Sequence, residues 1–144
     1  MRDLTARGEV QARTAGVALS MLESDFEAVL FSPKVRARRT AELAAESWSD
    51  EQRALLTEHP PLARGFSAAE ALHAASGLSA DARLLLVGHE PDLSLIVADL
   101  TGGRADVKKG GLAVVRLEGA GGELAVLMRP RELALIAGVP VGRE

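Results

Sequence analysis

Arg83-Leu84-Leu85-Leu86-Val87-Gly88-His89-Glu90-Pro91 decides how this chain is read. A continuous apolar run bounded by Gly and Pro, too short for a helix, is the pattern of a strand buried on both faces, as in the interior of a parallel sheet. Beyond Pro91, the residues Leu93, Ile96, Val97 and Leu100 fall on one helical face, and Gly102 supplies a stop. The stretch therefore predicts a strand that hands directly to a helix. Working upstream, Glu27-Ala28-Val29-Leu30-Phe31 repeats the arrangement: a short apolar run, then Ser32-Pro33, then a helix whose apolar stripe is Ala37, Ala41, Ala44, Ala45 and Trp48. Ser32 is expected to cap that helix with Pro33 at its first position, where a missing N–H costs nothing.

Around these two strand-to-helix units the remaining elements follow. Thr5 is a good N-cap, and Ala12, Ala15, Ala18, Leu19 and Leu22 at helical spacing predict an opening helix to about Glu23. Ser49 with Gln52 and Ser67 with Glu70 read as capping boxes, predicting short helices near Glu51 to Thr57 and Ala68 to Ser76. Between them His59 to Gly65, with Pro60 and Pro61, reads as a loop. Leu112 to Leu117 and Leu124 to Met128, separated by glycines from Gly119 to Gly122, predict a hairpin. Pro130 opens a last helix, closed by Gly138 and Pro140. The order α, βα, α, α, βα, ββ, α is that of an α/β fold, three-layer α/β/α, with a mostly parallel sheet and a C-terminal hairpin.

With 144 residues, 47% of them hydrophobic, the chain can enclose one core, and residues 1–144 read as a single domain. A formal net charge of -3 leaves no bulk basic field for nucleic acid or an anionic membrane surface. Three Phe and one Trp, scattered, make no base-stacking platform. With no cysteine, disulfides, thiolate metal sites and thiol catalysis are excluded together, which accords with a cytoplasmic setting. No apolar run reaches membrane-spanning length and no signal peptide is visible.

In parallel α/β sheets, ligands collect beyond the carboxyl ends of the strands, so the chemistry is sought at Ser32-Pro33 and Gly88-His89. At the first junction a helix N-terminus offers unpaired N–H groups, and Arg36 adds a bidentate fork one turn in, a combination suited to phosphate or carboxylate. Lys34, Arg38 and Arg39 read as the solvated face of the same helix. At the second, His89 can bind an oxyanion, exchange a proton or ligate a metal. His59, in a proline loop, and His73, within a helix, read as surface or edge residues. No His-x-x-x-His and no carboxylates paired with His at usable spacing occur, so metal catalysis is rejected and no cofactor is expected.

Three segments together resemble the histidine phosphatase superfamily, in particular its short phosphohistidine phosphatase branch. They are Leu4-Thr5-Ala6-Arg7-Gly8 with Gln11-Ala12, then Ser32-Pro33 with Arg36-Ala37 and Thr40-Ala41, then Val87-Gly88-His89-Glu90-Pro91. The resemblance covers nearly the whole chain and implies a phosphoglycerate mutase-like fold. It further implies phosphate binding by Arg36, His89 and Ser32, with Arg36 and His89 as the catalytic-site residues that can be assigned. Complete members use an Arg-His-Gly motif at the end of a first strand, whose His is transiently phosphorylated. That motif does not occur among these 144 residues, and the domain is expected to be N-terminally incomplete, its first strand missing. Glu58 and Glu90 are candidates for a general acid on chemistry alone.

Three readings fit these residues. The chain is a phosphohistidine phosphatase with a wrong or truncated start, inactive as it stands; or a non-catalytic module that binds phosphate or a phosphoprotein; or a plain α/β interaction domain. The implied partner is a phosphorylated protein or a small phosphate ester, with neither nucleic acid nor membrane. A lost interior strand would expose sheet edges through which the chain could form oligomers, and would leave a vacated position, a rearranged sheet or a partner strand in the gap.

Overall fold

The computed structural model describes residues 4–118 and 121–138. The first helix, α1 (Ala6–Met21), starts where Thr5 Oγ1 accepts the Gly8 N–H at 3.0 Å. Its buried side is Ala12, Thr14, Gly16, Ala18 and Leu19, while Leu22, expected in the stripe, lies past the end and is exposed. The strand β1 (Ala28–Phe31) leads into α2 (Val35–Ala45), with Ala37, Ala41, Ala44, Ala45 and Trp48 all buried. The α2 start differs from expectation: its N-cap is Lys34, and Ser32 stands two residues ahead of it.

The segment after α2 departs most from the sequence reading. Ser49 caps a single turn, α3 (Asp50–Arg53), and the predicted helix to Thr57 stops there because Leu56–Glu58 is a strand, β2. Gln52 does not complete the capping box. Its amide instead clamps the peptide of Phe26, accepting from the Phe26 N–H at 2.8 Å and donating to the Phe26 C=O at 3.0 Å. The clamp draws the chain alongside β1, with which β2 pairs in parallel, Val29 opposite Leu56 and Phe31 opposite Glu58. The proline loop contains a 3-10 turn at Pro60–Ala63. The helix α4 (Ala68–Ser76) has the full Ser67–Glu70 capping box. The decisive apolar run forms β3 (Leu84–Val87), parallel to β1, followed by α5 (Asp92–Thr101), which ends on Gly102 in the left-handed region. The hairpin is β4 (Leu112–Glu118) with β5 (Gly121–Met128), and α6 (Pro130–Ala137) ends on Gly138. The predicted turn at Gly119 and the stop at Pro140 lie outside the described residues.

Strand periodicity divides the core. Alternate side chains of a strand point to opposite faces. Thus Val29 and Leu85 join Leu19, Ala44, Ala45 and Trp48 on one face, while Leu30 and Leu86 join Leu62, Phe66, Ala71, Ile96 and Leu100 on the other. This is the three-layer arrangement. Leu112 and Val115 of β4 enter the same two clusters, so the hairpin continues the middle layer. It does so without a ladder to β3: the described strands form one sheet in the order β2-β1-β3 and a separate β4-β5 pair. The Ser32 N–H bonds the Val87 C=O at 3.0 Å, which turns the Val87 peptide toward β1 and that of Leu86 toward the opposite edge. No described residue bonds the Leu86 N–H or C=O there. All four β3 residues are only part-buried, whereas Val29 in the middle of the sheet is 1% exposed.

Candidate functional site

The carboxyl ends of β1 and β3 lie side by side because the strands are parallel and in register, Phe31 opposite Val87. The next residues, Ser32 and Gly88-His89, therefore meet. Ser32 is 0% exposed; its Oγ accepts the Lys34 N–H at 3.2 Å and lies 2.8 Å from His89 Nε2. A residue expected to cap the helix thus stands ahead of the cap and contacts an imidazole. Gly88 lies against the side chains of Leu62 and Leu93: a Cβ there would stand 3.4 Å and 3.6 Å from them, ordinary contact distances.

Arg36 is half-buried in the first turn of α2, and its guanidinium makes no hydrogen bond or ion pair with a described residue. Its neighbours in sequence are otherwise engaged, Arg38 with Glu58 and Arg39 with Glu9. His89 is held below its ordinary pKa by burial, then by the Lys34 charge and, more weakly, by Arg36, while Asp92 acts in the opposite direction. The imidazole is accordingly neutral at physiological pH and sits in a positive field. Lys34, three residues beyond the end of β1, therefore acts on the ring, which its reading as a solvated face did not anticipate. Asp92, also missed, opens α5 and accepts the Phe66 N–H at 3.3 Å.

The other candidates are placed elsewhere or tied up. His59 packs edge-on against Phe66, with ring centroids 5.8 Å apart, and His73 is exposed on α4. Glu58, at the end of β2, is paired with Arg38, and the Glu90 carboxylate accepts the Ser94 N–H at 2.9 Å as well as the Ser94 hydroxyl. Ser94 Oγ in turn accepts the Val107 N–H at 3.0 Å, so Glu90 anchors the segment leading to the hairpin. Among the described residues, no group of three or more His, Cys, Asp or Glu is placed to hold a metal ion, and no helix is long and apolar enough to cross a membrane.

The fold is a parallel α/β sheet in which two adjacent strand ends bring Ser32 and His89 together beside the first turn of α2, the carboxyl edge where ligands collect in sheets of this class. A sequence model of the histidine phosphatase superfamily (branch 1) matches residues 2–59. An uncharacterized protein of Picosynechococcus sp. (strain ATCC 27264 / PCC 7002 / PR-6) is 34% identical over 125 residues, covering 80% of this chain and 72% of that protein. The protein histidine phosphatase SixA, solved in complex with tungstate, superimposes with a TM-score of 0.79 at 24% identity, over 92% of this chain and 87% of that one. A protein assigned as the phosphohistidine phosphatase SixA of Agrobacterium tumefaciens gives a TM-score of 0.74 at 17% identity, over 90% and 84%. The chain belongs to the histidine phosphatase superfamily, and its likeness to the two solved structures is one of fold.

Proposed function

We propose that the site binds the phosphoryl group of a phosphorylated protein or a small phosphate ester, with Arg36 and Lys34 supplying charge and His89 a neutral hydrogen-bonding ring. The observation that carries this reading is the meeting of the two strand ends, where Ser32 Oγ lies 2.8 Å from His89 Nε2 beside the first turn of α2, which carries Arg36. A tetrahedral oxyanion matches such donors, charge on charge and N–H on oxygen. The tungstate bound in the SixA structure is an oxyanion of that shape, which supports the same ligand class here.

Hydrolysis through a phosphorylated histidine requires an imidazole free to attack in line. None of the three histidines of this polypeptide lies in an Arg-His-Gly sequence, and His89 is engaged at Nε2. For these 144 residues taken by themselves we therefore propose phosphoryl binding of phosphatase type without turnover. Phosphate or tungstate should raise the polypeptide's melting temperature, by roughly 2.7 kcal/mol of added stability at a hundred times the dissociation constant, and Arg36→Ala should abolish most of that gain. The same preparation should leave an aryl phosphate intact. Absence of any anion effect would overturn the binding reading; turnover abolished by His89→Ala would overturn the claim of inactivity.

A further inference from the structure

We infer that Ser32 is a positioning residue that fixes the tautomer of His89, placing the imidazole proton on Nδ1 so that the neutral ring is a hydrogen-bond donor toward its ligand. The argument is an accounting of protons around one buried oxygen. Ser32 is 0% exposed, so its hydroxyl has no access to water and must find an acceptor within the protein. One lone pair of Ser32 Oγ is taken by the Lys34 N–H at 3.2 Å, a contact in which the serine can only accept. The remaining neighbour is His89 Nε2 at 2.8 Å, and no other partner of the hydroxyl is present among the described residues. The hydroxyl proton therefore points at Nε2, which must be the unprotonated ring nitrogen. A neutral imidazole with a bare Nε2 carries its proton on Nδ1.

The consequence concerns the ligand. Nδ1 makes no hydrogen bond to a described residue, so it is the ring atom left to meet an incoming group. With the proton there, His89 offers N–H to an oxyanion even when uncharged, and has no lone pair on that side with which to act as a base or attack phosphorus. The charged groups acting on the ring, Lys34 and Arg36 from α2 and Asp92 from α5, change how readily it takes a second proton. The hydrogen bond at Nε2 acts on the choice of which nitrogen holds the first. That choice belongs to Ser32, through the backbone of Lys34.

The role toward an anion rests on the phosphoryl-binding reading above, but the tautomer does not, and the two are tested separately. Imidazole nitrogen chemical shifts of the ligand-free protein, measured above the ordinary histidine pKa of about 6.5 with His89 assigned by substitution of His59 and His73, should report the Nδ1–H form. Ser32→Ala should move His89 toward the Nε2–H form. A wild-type ring found in the Nε2–H form overturns the inference whether or not the variant folds, as does a folded Ser32→Ala protein with an unchanged tautomer. If phosphate binds, Ser32→Ala should weaken it roughly three- to tenfold, the worth of one misdirected hydrogen bond. An unchanged phosphate affinity alongside a switched tautomer would refute the donor role, whereas no phosphate effect in the wild type would instead sink the functional reading.

Discussion

Replacing Gly16 by alanine sets two physical effects against each other, and the structure says which prevails. Gly16 lies within α1, where glycine costs about 1 kcal/mol relative to alanine through backbone entropy, so helix propensity alone predicts that the substitution stabilises. The packing predicts the reverse. A Cβ at Gly16 would stand 1.8 Å from the Ala44 carbonyl oxygen of α2, against an ordinary contact of 3.4–4 Å. The obstacle is backbone and cannot rotate away, so the helices must separate locally by roughly 1.5 Å or more to restore van der Waals distance. Overpacking of that kind costs about 1–3 kcal/mol, at times more. The separation also stretches the bond from Trp48 Nε1–H to the Gly16 carbonyl, 3.0 Å in the native seam, and leaves a buried indole donor without its acceptor for about another 1–3 kcal/mol. The sum, less the propensity gain, is a net loss of roughly 1–5 kcal/mol, or about 3–15 °C in melting temperature for a domain of this size. Scanning calorimetry with far-ultraviolet circular dichroism measures it. A melting temperature equal to or above that of the wild type would refute the claim that α1 and α2 touch through this glycine.

The clamp formed by Gln52 should behave as a strand-positioning device: Gln52→Ala strands both the N–H and the C=O of Phe26, at a cost of about 2–3 kcal/mol in denaturant unfolding, while Gln52→Glu, which keeps the acceptor but loses the donor, should recover part of it. Stability should also depend on pH through His89. Because its folded pKa lies below the ordinary value of about 6.5, the unfolded chain binds more protons between the two values, so this contribution is fully present above about pH 6.5 and is lost as pH falls through that window. His89→Gln should flatten the slope, and bound phosphate should oppose it by favouring the imidazolium; a wild type that gains stability relative to His89→Gln on acidification from about pH 7 would contradict the assignment.

What was legible in the sequence was whatever local chemistry decides. The strands at Val29 and at Leu84 to Val87, the caps at Thr5 and Ser67, and the stops at Gly102 and Gly138 follow from apolar runs, hydroxyl caps and left-handed glycines, each acting within a few residues. The strand at Leu56–Glu58 was not legible, because Leu-Thr-Glu beside a capped turn has no pattern of its own. It becomes a strand by pairing with β1 and by the grip of Gln52 on Phe26, both long-range. Arg36 and His89 were singled out from the junctions they occupy, helped by the family motif, and the structure places them at those junctions. Lys34 and the true partner of Ser32 were not, since a charge acting on a ring more than fifty residues away leaves no trace in spacing. The hydroxyl that looked like a cap lies against a histidine.

The seam between α1 and α2 also governs how the molecule can be watched. The chain has one tryptophan and no tyrosine, so its near-ultraviolet absorption and intrinsic emission arise almost entirely from a single indole. Trp48 lies just beyond the C-terminal end of α2, 9% exposed and tilted against Phe26, whereas Arg36 lies at the N-terminal end of the same helix. Emission thus reports whether the helical seam is closed and is blind to the strand ends. An anion that shifts the spectrum must be moving α2 as a body; one that binds silently leaves the helix where it was.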